Sequence, residues 1–67
     1  MFFNQTKFKA SVILAGKTLK DVAKFIGINE ATLHRKIARD GDFTRVEIAK
    51  IVDFLHLETP QEIFFAN

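Results

Sequence analysis

Leu19 to Ala38 reads LKDVAKFIGINEATLHRKIA, and the fold of the whole chain turns on these twenty residues. Just ahead of them the Thr18 hydroxyl can cap free helix amides, and Asp21 follows three residues later, near the positive helix end. Val22, Ala23 and Ile26 then share one face, and Gly27 ends the helix. Asn29 can cap the next helix almost at once, with Leu33 and Ile37 on its inner side. The segment therefore predicts two helices joined by a very short turn. Ala23 stands where the two helices cross and only a small side chain fits. Gly27 supplies the tight turn, and Val22, Ile26, Ile28 and Leu33 fill the wedge between the helices.

Working outward, a first helix is predicted over Gln5 to Ala15, with Phe8, Val12 and Ala15 on one stripe and Gly16 as a left-handed cap. Downstream, Asp40-Gly41-Asp42 forms a break. Thr44-Arg45-Val46-Glu47 is a capping box, followed by Ile48, Ile51, Val52 and Leu55 at amphipathic helix spacing. Thr59-Pro60-Gln61-Glu62 reads as a second capping box with proline at the first helical position, leading into Ile63-Phe64-Phe65. Strand-type alternation is absent. The expectation is an all-α, compact five-helix domain.

A chain of 67 residues holds one domain with a thin core, and with no cysteine it has neither a disulfide framework nor a thiolate metal site to reinforce it. Met1-Phe2-Phe3-Asn4 has no basic leader, and the apolar run Val12 to Ala15 is far too short for a signal or membrane segment, so a cytoplasmic protein is expected. The Asn4-Gln5-Thr6 acceptor tripeptide carries no weight in that setting. Net charge is only +2, but residues 1–39 hold eight Lys or Arg against two acids and residues 40–67 hold two against six. A basic first half suits a polyanion, whereas the acidic second half faces elsewhere.

The Leu19–Ala38 segment resembles the helix-turn-helix of phage Cro proteins and their related repressors, a lambda-repressor-like DNA-binding domain. Val22, Ala23, Ile26, Gly27, Ile28 and Leu33 all agree with that family's pattern. The likeness runs from Phe8 to the end, with Phe43 to Leu55 and Thr59 to Ala66 standing for the family's fourth and fifth helices. It implies that the third helix lies in the major groove of double-stranded DNA, where Glu30, Ala31, His34 and Arg35 touch base edges. Arg35 would fork onto guanine, Glu30 accept from the cytosine amino group and Ala31 pack on a thymine methyl. Thr32, Lys36 and Arg39, with Lys17, Thr18 and Lys20, would hold phosphates; Thr44 and Arg45 would add a weaker contact.

Two residues depart from the family pattern. Leu19 stands where the family often has a phosphate-binding glutamine. Lys36 stands where an apolar residue is usual, so either Ile37 takes over the packing or the third helix is rotated and the base-reading set shifts by one. Phe2, Phe3, Phe64 and Phe65 gather at the chain ends; most of the eight phenylalanines are expected in the core, and those of this cluster that stay exposed would form a dimer patch, in keeping with the family's homodimers on palindromic operators. His34 and His56 fit no metal spacing, and Gly16-Lys17-Thr18 lacks the upstream glycine of a phosphate loop, Ser11 standing there instead. No cofactor, metal, small-molecule ligand or enzymatic activity is expected. The leading expectation is a transcription regulator. An antitoxin-like regulator with a second protein on its acidic half, and a helical adaptor that binds protein alone, are the alternatives.

Overall fold

The computed structural model of the chain describes residues 2–66. Five helices follow in order: α1 (Gln5–Leu14), α2 (Leu19–Ile26), α3 (Glu30–Ala38), α4 (Arg45–Leu55) and α5 (Gln61–Phe64). Among the described residues there is no strand; one isolated antiparallel bridge ties Phe2 to Ala66. No helix there is long and apolar enough to cross a membrane.

The helix starts are fixed by side chains that the chain places at the right offsets. Asn4 caps α1 by accepting from the Lys7 amide at 2.9 Å, and Asn29 caps α3 by accepting from the Thr32 amide at 2.7 Å. Thr18 with Asp21 and Thr44 with Glu47 close complete capping boxes on α2 and α4. The box expected at Thr59 does not form. Pro60 takes the cap position without a side-chain bond, the Glu62 amide donates to the Thr59 carbonyl, and its carboxylate pairs with Lys7 at 3.1 Å.

Helix ends are sharper than composition suggests. Gly27, at φ +84°, lets the Gly27 and Ile28 amides fold back onto the Ala23 carbonyl. At the end of α4 no glycine is available, and His56 adopts the left-handed conformation itself, at φ +54°. Asp40 and Gly41 both have positive φ, and the Gly41 and Asp42 amides return to the Lys36 carbonyl at 3.0 Å. The helix α1 stops one residue short of the expected Ala15, which remains packed on the core.

All the buried hydrophobic residues join one core. Its aliphatic part is Val12, Val22, Ala23, Ile26, Leu33, Ile37, Ile51, Leu55 and Ile63, and within it α2 packs on both α3 and α4. Its aromatic part is Phe3, Phe8, Phe43 and Phe64, with ring centroids 5.4 to 6.3 Å apart, seated where α1 meets α5. This overturns half of the expected dimer patch. Phe3 and Phe64 are buried because the bridge between Phe2 and Ala66 and the bond from the Asn4 amide to the Ile63 carbonyl draw both chain ends onto the core. Phe2 and Phe65 stay exposed.

Candidate nucleic-acid interface

The outer face of α3 follows from what its inner face buries. Leu33 and Ile37 point into the core one turn apart, which sets Ala31 and Arg35 on the opposite side of α3; His34 lies on the flank and Glu30 is at the first position of the helix, and all four are exposed. Ile37 therefore takes over the packing role, and the outward set is not shifted by one. Leu19 packs against the core, a reason for an apolar residue at the start of α2.

Two contacts preset this face. His34 Nε2 lies 3.5 Å from a Glu30 carboxylate oxygen, and an Arg35 guanidinium nitrogen donates to the Thr32 hydroxyl at 3.1 Å. Both join residues one helical turn apart, and both pairs remain accessible to solvent. A donor fork at Arg35 and an acceptor carboxylate at Glu30 are thus both exposed on α3, five positions apart.

The flanks divide the expected phosphate contacts. Thr18, Lys20, Arg39 and Arg45 are exposed, and among the described residues Lys20, Lys24, Arg35 and Arg39 enter no ion pair. Thr44 is exposed too, and the Thr18 and Thr44 hydroxyls each accept from a cap amide, of Asp21 and of Glu47, at 3.1 Å. The Lys17 ammonium leans over the Phe54 ring, 5.0 Å from its centroid, toward the end of α4.

Lys36 is a correction. Its ammonium donates to the Asp42 carbonyl at 3.1 Å and pairs with Glu47 at 3.2 Å, with only 20% of the side chain exposed. A lysine held this way bridges α3 to α4, with two of its three ammonium donors engaged inside the protein.

Carboxylates near the interface are held by the fold. Backbone and hydroxyl hydrogen bonds from Thr18 keep Asp21 below its ordinary value. Burial pushes Glu47 upward, but the Thr44 amide and the Lys36 ammonium outweigh it, so the group ends below its ordinary value. Glu62, served by Thr59 and Lys7, is lowered too.

Sequence reading missed a second surface. Phe25, at the end of α2, stacks on Phe54, at the end of α4, with centroids 4.3 Å apart and planes within 20°. Twenty-nine residues separate the two rings in sequence, and no local pattern signals their meeting. Beside them lies an open hollow of about 530 Å³ lined by Ser11, Leu14, Phe54, His56 and Glu58 among others. Its serine is not activated, since the Ser11 hydroxyl donates to the Lys7 carbonyl at 2.8 Å. No group of three potential metal ligands occurs among the described residues. Comparison with protein-family models, with curated proteins and with solved structures finds no match to this chain.

Proposed function

We propose that the protein is a sequence-specific double-stranded DNA-binding regulator of the Cro or repressor type, with α3 in the major groove. The observation that carries this reading is the exposure of Glu30, Ala31, His34 and Arg35 on α3, flanked by Lys20 and Arg39, which enter no ion pair among the described residues. Arg35 reads guanine, Glu30 a cytosine amino group and Ala31 a thymine methyl, while Thr18, Lys20 and Arg39 set affinity and register on phosphates. The resemblance of Leu19–Ala38 to Cro and repressor hairpins points the same way.

The reading extends to a homodimer on a palindromic operator, with half-sites about one helical turn apart. Phe2 and Phe65, together with Val46 on α4, are the exposed apolar residues that favour such a contact, at 63%, 45% and 63% exposure. Solution scattering at tens of micromolar checks this: a monomer mass both with and without operator removes the dimer.

Selection of bound duplexes from a randomised DNA library tests the function itself. An enriched palindrome is the expected result. Binding without enrichment, or no binding, moves the reading to a protein-only adaptor, which the exposed Phe25–Phe54 stack and the exposed Leu14 favour.

A further inference from the structure

The junction between α3 and α4 is closed twice around one lysine. At the backbone, the Lys36 carbonyl accepts from both the Gly41 and Asp42 amides. At the side chain, the Lys36 ammonium reaches the Asp42 carbonyl and the same Glu47 Oε1 that accepts from the Thr44 amide at 2.9 Å. One carboxylate oxygen thus serves the cap of α4 and the lysine of α3 together. The two side chains are only 20% and 15% exposed, against roughly half for the other two ion pairs. Low exposure weakens screening by water and salt, so this pair holds its geometry better than a surface pair.

Lys36 lies between Arg35, which points outward, and Ile37, which points into the core. Successive helix positions differ by about 100° of rotation, so turning α3 by one residue would swing the ammonium off Glu47 and carry Arg35 off the outer face. We propose that Lys36 and Glu47 are positioning residues for base reading: they touch no DNA, and their pairing fixes the rotation of α3 that presents Glu30, Ala31, His34 and Arg35. This rests on the reading of α3 as the base-reading helix. It assigns a role to Glu47, an acid that electrostatics alone would count only as a repulsion against DNA.

The test uses the duplex enriched in the library selection and its single-base variants, bound by the wild type, Lys36→Met and Glu47→Gln. Circular dichroism checks that each variant is folded. Lys36→Met keeps the aliphatic stem, and Glu47→Gln keeps the shape of the side chain. Each variant should lose about fivefold or more of the discrimination between the enriched duplex and a single-base variant. The combined variant should lose no more than either alone, because both changes break one contact. The slope of log affinity against log salt should stay unchanged in Lys36→Met. A slope shallower by about 0.9 would make Lys36 a phosphate contact and overturn the proposal. So would Glu47→Gln that binds all duplexes more tightly with discrimination intact. Failure of the wild type to bind any duplex defeats the DNA-binding reading, and this role with it; binding with discrimination intact in both variants defeats the positioning role alone.

Discussion

The α2–α3 hairpin and the α4–α5 half carry opposite charge and use it differently. In the second half and the loop before it, three of the six carboxylates are turned to internal contacts. Asp40 accepts from the Phe3 amide at 3.0 Å, Glu47 serves Thr44 and Lys36, and Glu62 pairs with Lys7. In the hairpin, Lys20, Lys24, Arg35 and Arg39 enter no ion pair among the described residues. Charge engaged inside a fold is screened from partners, whereas charge left on one face builds a field there. A net charge of +2 therefore understates the field that the hairpin offers to a polyanion.

If the two halves share one core, a change beneath both should weaken both at once. Phe8 is fully buried and meets Phe3, Phe43 and Phe64, so Phe8→Ala should cost about 3–5 kcal/mol in urea unfolding. Hydrogen exchange that accelerates in α4 and α5 alone would show two separable cores. The next effect falls at the junction. Gly41→Ala places a methyl group against the Phe3 side chain at a positive φ and should cost about 2–4 kcal/mol. Gly27→Ala, with open space around it, should cost only about 1–2 kcal/mol for its conformation. Equal losses at the two glycines would mean that the Phe3 contact is dispensable.

Smaller effects separate reading from holding on the hairpin. Arg35→Ala should lose about 1–3 kcal/mol on the enriched duplex and relax the choice at one base position. Lys20→Ala should weaken all duplexes alike and flatten the salt slope by about 1. An unchanged base preference in Arg35→Ala would remove Arg35 from the reading set.

The smallest effect should be the acid limb of stability. Asp21, Glu47 and Glu62 are all held below their ordinary values, so their contribution is present above the unfolded values of 3.8 to 4.5 and disappears as pH falls through the folded ones. The urea midpoint should hold from pH 7 to 5 and drop toward pH 3. Glu47→Gln should make that drop shallower, and an identical drop would mean the carboxylate contributes nothing.

The caps that set α2, α3 and α4 were legible because each is a local pattern: an acceptor side chain, then an acid or a free amide three residues on. The inward sets Val22–Ala23–Ile26 and Leu33–Ile37 were legible for the same reason, and with them the exposed face of α3. What was not legible depends on residues far apart. Lys36 stood out as a charge at a position where an apolar residue is usual, but its partner did not, because Glu47 lies eleven positions away on another helix. Phe3 and Phe64 read as a surface patch because nothing local shows that both ends fold back onto Phe8 and Phe43. The box at Thr59 had the right letters, but Glu62 has a competing partner in Lys7, on α1.

The central claim is that the DNA face is the α2–α3 hairpin, and amide chemical-shift mapping tests it most directly. The enriched duplex is titrated into isotope-labelled protein, with the proposed dimer contact at Val46 and Phe65 followed separately by mass. The account predicts that the largest shifts fall between Lys17 and Arg39, on Lys20, Ala31, His34 and Arg35 above all, with Asp53 to Thr59 nearly still. Shifts centred on Leu14, Phe25 and Phe54, with the α3 face unmoved, would contradict it.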